Sequence, residues 1–189
     1  MMGQSRVKAH SAGELLQHFE LSEEGEAVAV LDTAPLRVIN KLVKNGNLHD
    51  AVTLLAHALP KREAVWWACM ATKATMDTQI ELNVAAVAAT ELWVRSPTEP
   101  NRLVAKKMGE RAKNKTAAGW AATAASWSAG SITDEGEAVA PPDYLYAHAV
   151  AASITLAAVV AGPEHSTENY HLFLRQGFNL ANGGNGQVE

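Results

Sequence analysis

Cysteine is almost absent: Cys69 is the only one in 189 residues, so no intramolecular disulfide can form. A small secreted fold held together by bridges is excluded, and a reducing compartment fits the composition. Long apolar runs are missing too. The longest, residues 149–161, is mostly alanine and carries Ser153 and Thr155. It falls short of the ~20 residues that a membrane-spanning helix needs, so it reads as a buried helix. The first residues, MMGQSRVKAHSAGELL, contain no stretch that could serve as a signal-peptide core, and the expected location is the cytoplasm.

Signatures of catalysis are equally scarce. There is no His-Glu-x-x-His pattern, and the lone Cys69 lacks a thiol partner. His49 and His57 are eight residues apart, and His165 and His171 six, spacings that do not place either pair on one helical face. No metal and no cofactor are expected. The glycine-rich GGNG at 183–186 precedes no helix, so it fails as a phosphate cradle. Asp50 and His57 are seven apart on one helix, on a face that reads as solvated surface. The net charge of −4 argues against a general nucleic-acid binder.

What is present is helix. Alanine is abundant, and β-branched residues nowhere alternate with polar ones for long. Ser11 with Glu14 has capping-box spacing ahead of Leu15, Leu16 and Phe19. Pro35 suits a first helical position, and Asn45-Gly46 a left-handed stop. Asn47 with Asp50 starts a helix whose Leu48, Val52, Leu55 and Leu59 share a narrow arc. Further helices are expected over residues 60–73, 77–94, from 96 through the basic segment, 116–127, 144–161 and 167–180. Residues 77–94 and 144–161 are apolar enough to be buried on most sides, with Gln79, Asn83 and Thr90 the only polar stripe on the first. Residues 130–143 read as a polar, proline-rich loop. The fold class is all-α: a compact bundle of about seven to nine short antiparallel helices, with an irregular helical-hairpin repeat as the alternative. Residues 1–180 form a single helical domain, and residues 181–189 a flexible Gly/Asn-rich tail.

Three groups of residues stand out. The first is residues 59–69, LPKREAVWWAC. Adjacent tryptophans on a helix point about 100° apart, so Trp66 and Trp67 are both core only if neighbours surround the helix. Otherwise one of them faces a partner, beside Arg62 and Lys73, and Trp66 is the better candidate. The second is the strip of Tyr144, His148 and Thr155 on an otherwise apolar helix, either an internal hydrogen-bonded network or a small polar pocket. The third is the basic helix carrying Arg102, Lys106, Lys107, Arg111, Lys113 and Lys115 against a single acid, Glu110. It reads as a solvated face first, a surface for an acidic partner protein second, and a DNA contact last.

The string Pro60-Lys61-Arg62-Glu63-Ala64-Val65-Trp66-Trp67-Ala68-Cys69, with the alanine-rich residues 149–158, resembles an uncharacterised proteobacterial family of all-helical proteins. The resemblance extends over residues 36–180. It implies a link to type VI secretion gene clusters and supplies no catalytic residues. The expectation is therefore a non-enzymatic protein-interaction module, an adaptor, chaperone or scaffold component with a protein partner. The alternative is a small-ligand binder or enzyme with a polar pocket around His148.

Overall fold

Helices start and stop where the sequence supplies caps. The structure, a computed structural model, describes residues 5–112 and 115–188. Within them the chain forms α1 (Ala12–Leu15), α2 (Glu23–Val28), α3 (Pro35–Lys44), α4 (Leu48–Ala58), α5 (Lys61–Thr75), α6 (Glu81–Arg95), α7 (Glu99–Ala112), α8 (Ala117–Ser126), α9 (Leu145–Val159) and α10 (Pro163–Ala181), with no strand among the described residues. Pro35 opens α3, and Gly46, at φ 82°, turns the chain after it. Thr116 caps α8 by accepting from Gly119 N at 3.0 Å. Gly162, at φ 109°, separates α9 from α10, which starts at Pro163 rather than near residue 167.

The N-terminal segment departs from its sequence reading. Ser11 makes no side-chain cap bond, and Glu14 instead accepts from His10 N at 3.3 Å. Only one turn of helix forms, because Ala12 N and Gly13 N donate to Thr33 O and Leu31 O and tie the segment to the chain before α3. The unforeseen α2 is capped by Ser22, whose Oγ accepts from Gly25 N at 3.0 Å. That Oγ also donates to Asp50 Oδ2 at 2.6 Å, and Ser22 N donates to Asp50 Oδ1 at 3.1 Å. Asp50 and His57 are consequently buried, not solvated. A helical wheel of α4 alone could not show that a distant segment covers its polar side.

Helix α9 is the centre of the bundle and packs against α4, α5, α8 and α10. Contacts to helices from both halves of the chain rule out a solenoid, where each repeat meets only its neighbours. Several polar groups inside bind main-chain or side-chain partners across helices. Tyr146 donates to Leu59 O at 2.7 Å. Ser153 Oγ donates to Ala117 O at 2.8 Å and lies 3.2 Å from Thr72 Oγ1, joining α9 to α8 and α5. Trp67 is fully buried, and its indole N–H donates to Phe173 O on α10 at 2.7 Å.

Helix α6 reverses its expected orientation. Asp77 does not cap it; that side chain accepts from Gln79 N, and the helix begins at Glu81. Asn83 and Thr90 point inward, Thr90 donating to Ala86 O at 2.7 Å, while Val84 and Leu92 are exposed. Helix α6 is peripheral, lying on α5, α7 and α8. Residues 182–188, placed by the sequence in a flexible tail, run back over α5: Gly186 N donates to Asn179 Oδ1 at 2.8 Å, and Gly186 lies against Met70.

Two expectations for stability follow. A Cβ on Gly177 would stand 2.6 Å from Leu55 Cδ2 and 2.9 Å from the Trp67 ring, so α10 approaches α5 this closely only through glycine. Gly177→Val should destabilise the fold by about 2–3 kcal/mol and lower Tm by roughly 5–10 °C; an unchanged Tm would show that the contact relaxes freely. Cys69 is fully buried, and burial pushes its thiol well above its ordinary range. A thiol reagent should label the native protein far more slowly than the unfolded chain.

Candidate functional site

On one helix, α5 turns its two tryptophans to different fates. Trp67 belongs to the core and leaves the set of surface residues that the sequence suggested. Trp66, one residue earlier, is half-buried at the edge of the bundle. Its indole N–H donates to Asn185 O at 3.0 Å. Arg6 secures the same stretch of chain: its N donates to Ala181 O at 2.8 Å, Nη1 to Gly184 O at 3.0 Å and Nη2 to Gly183 O at 3.2 Å. Arg6 also lies 3.7 Å from Glu63. The cavity left between α5, the end of α6 and residues 183–187 holds about 500 Å³ and is lined by Arg6, Arg62, Glu63, Trp66 and Arg95.

Arg62 donates Nε to Val94 O at 2.6 Å and so reaches across to α6. Arg95 extends into solvent, 3.6 Å from Glu91. Three guanidinium groups against one carboxylate give this cavity a positive balance. Lys73, which the sequence placed with Trp66, is elsewhere. It pairs with Glu91 at 2.8 Å, two helical turns further along α5, because Glu91 on α6 faces it there. Sequence reasoning found Arg62 and Trp66, which are neighbours on one helix. It missed Arg6 and Arg95, which only the packing of α5 against α6 and the N-terminal segment brings alongside.

The strip of Tyr144, His148 and Thr155 does not form one site. Thr155 Oγ1 lies 3.2 Å from His49 Nδ1, two turns from His148. Tyr144 and His148 enter a stack of rings instead. His18 stacks on Tyr144 at 4.1 Å between centroids, Tyr144 meets His148 edge-on at 5.8 Å, His148 meets His57 at 4.8 Å, and Phe19 stacks on His57 at 4.3 Å. Beside the stack is a cavity of about 410 Å³ lined in part by His57, Tyr146, Lys61 and Asp143. No group of three or more His, Cys, Asp or Glu among the described residues is placed to hold a metal ion.

The basic helix also changes character. Arg102 is buried, not part of a basic surface. Its Nε and Nη2 donate to the two carboxylate oxygens of Glu99 at 2.7 Å each, and Nη1 donates to Ser126 O at 3.0 Å. It fastens α7 to the end of α8. Lys106 pairs with Asp134 from the polar loop and lies 3.6 Å from Glu110. Lys107 and Arg111 remain exposed, and Lys113 is outside the described residues. Two of the helix's cations are thus paired, Lys106 in part by an acid from a loop that the sequence leaves remote.

Residues 38–181 match the model of DUF6931, a family of unknown function. No curated protein and no solved structure matches the chain.

The ring stack predicts a pH dependence. Burial, with smaller repulsion from His148 and His18, lowers the pKa of His57 from 6.5 to about 4, although Nδ1–H donates to Thr53 O at 2.9 Å. The unfolded chain takes up this proton near 6.5, and the folded chain resists it down to about 4. The stabilisation is therefore complete above the unfolded value, declines as pH falls, and is gone below the folded value. For this residue alone the native state should be about 2 kcal/mol less stable near pH 5 than near pH 8. Urea midpoints of wild type and His57→Gln should diverge in their pH slope by that amount; parallel slopes would remove His57 as the cause.

Proposed function

The chain belongs to DUF6931, a family of unknown function, and from its geometry we propose that it is a non-enzymatic protein-interaction module. We assign it to an adaptor or scaffold component of a bacterial cytoplasmic assembly, with the type VI secretion link implied by the tryptophan motif as part of the proposal. The observation that carries this reading is the cavity beside Trp66. A half-buried indole that lines one cavity with Arg6, Arg62 and Arg95 combines the residue types that dominate binding hot spots, aromatic and arginine. The same wall already binds main-chain carbonyls, since those of Gly183, Gly184 and Asn185, in the turn after α10, accept from Arg6 and Trp66. A partner segment suited to it offers carbonyl groups, an apolar side chain for the indole face and a carboxylate for the guanidinium groups.

The opposing reading, a small-ligand site near His148, draws support from one atom. Buried His57 Nε2 has no hydrogen-bond partner among the described residues, next to the smaller cavity. The two readings separate by mutation. Trp66→Ala should abolish capture of the native partner, a loss of ≥2 kcal/mol in the hot-spot range, with Tm nearly unchanged. Trp67→Ala should cost about 3–5 kcal/mol of stability instead. Arg62→Glu should weaken capture and reverse its salt dependence. Retained capture in Trp66→Ala at native stability would reject the proposal.

A further inference from the structure

One face of α6 is covered by nothing among the described residues. Glu81, Val84, Ala85, Ala88, Leu92 and Arg95 are all exposed, Val84 at 39% and Leu92 at 46%. At about 100° per residue they fall within an arc of roughly 100°. An apolar stripe of about two and a half turns on a peripheral helix is costly to leave in water, and its polar ends decide what can cover it.

The stripe is symmetric about Ala88. Val84 and Leu92 lie four residues on either side of it, and Glu81 and Arg95 seven. When two identical helices meet antiparallel about a two-fold axis, each residue faces its mirror position in the other copy. With the axis at Ala88, Val84 of each copy faces Leu92 of the other, and the two Ala88 methyl groups meet at the centre. Glu81 of each copy faces Arg95 of the other, so both ends close with opposite charges. Alanine at position 88 lets the backbones come near the lower limit of helix separation, about 8 Å, and the small Ala85 leaves room for its mirror residue Glu91, which is already paired with Lys73 and Arg95 of its own chain. A parallel pairing would set Glu81 against Glu81 and Arg95 against Arg95.

We infer that the exposed face of α6 is a homodimer interface, in which two copies of this chain pack α6 antiparallel about a two-fold axis at Ala88. The occupant is fixed by the complementarity of the face with itself, both in its apolar positions and in the sign of its charges. One helix pair makes a small interface, so the dimer exchanges with monomer. Arg95 also borders the Trp66 cavity, which places the second copy's α6 at that cavity's rim. The inference stands independently of what the cavity binds.

Sedimentation equilibrium across micromolar concentrations tests it on the full chain. Wild type should pass from monomer to dimer. Leu92→Glu should remain monomeric at every concentration, with unchanged helical circular dichroism because Leu92 makes no core contact. Glu81→Arg and Arg95→Glu should each weaken the dimer, and the double reversal should restore it, an outcome that only cross-copy pairing of these two positions produces. Ala88→Cys should form an intermolecular disulfide on mild oxidation, while Ala74→Cys, exposed on α5, should not; buried Cys69 stays silent in both. A monomer at all concentrations overturns the inference, leaving the face to a different protein. A dimer that survives Leu92→Glu, or one that the double reversal fails to restore, overturns the two-fold arrangement.

Discussion

The bundle depends on burying α9 over more than half of its circumference. Tyr146, Ala149, Ala151, Ser153 and Ala158 are all buried, and at about 100° per residue they span an arc of roughly 200°, which leaves only the side of His148 and Thr155 partly open. Such a segment is stable only inside a sleeve of other helices, here α4, α5, α8 and α10. Each of the four must turn its most apolar stripe toward the same axis. Alanine at most of these contacts permits close approach, so small residues set the spacing of the whole molecule. The bonds from Ser153 to Ala117 O and from Tyr146 to Leu59 O fix which helix lies where, because buried hydroxyl groups must find partners.

Placing α9 at the centre determines what lies at the edge. Helix α5 touches α9 on one side and receives α10 on another, where Trp67 covers Gly177. No helix remains for the Trp66 side, which is closed only by residues 183–187 and the side chain of Arg6. The cavity there is a direct consequence of two tryptophans in succession on a helix with too few neighbours to bury both. Helix α6 stands outside the sleeve altogether. Its contacts with α5, α7 and α8 leave the Val84–Leu92 side in water, and its polar Asn83 and Thr90 face inward. Both surfaces assigned to binding therefore arise from one cause, the competition among ten helices for contact with a single centre.

Electrostatics follows the same geometry. Arg102 looks in sequence like one more cation on a basic helix, yet packing against α8 buries it and Glu99 satisfies it through two oxygens. Lys106 is covered by Asp134 from a loop 28 residues away. By contrast Arg6, Arg62 and Arg95 come from three separate segments and line one cavity with Trp66, where Glu63 offsets Arg6 and Glu91 offsets Arg95. Local charge density along the chain is thus a poor guide to charge density on the surface, where long-range packing decides which ions are paired.

How much was legible in the sequence depends on the range over which each feature is decided. Helical class, the turn at Gly46, the break at Gly162 and the apolar centre at α9 were readable, since caps, glycine conformation and periodicity act within a few residues. So was the divergence of Trp66 from Trp67, which is fixed by the pitch of the helix. The short α2 was not, because its cap at Ser22 is stabilised by Asp50 across 28 residues. Tertiary structure alone decided that Asp50, His57 and Arg102 are buried, that Thr155 parts from His148, that Lys73 pairs with Glu91, and that α6 shows its apolar side to solvent. The physical reason is common to all of these: a side chain's own helix sets the direction in which it points, but the chain that meets it there comes from elsewhere in the sequence.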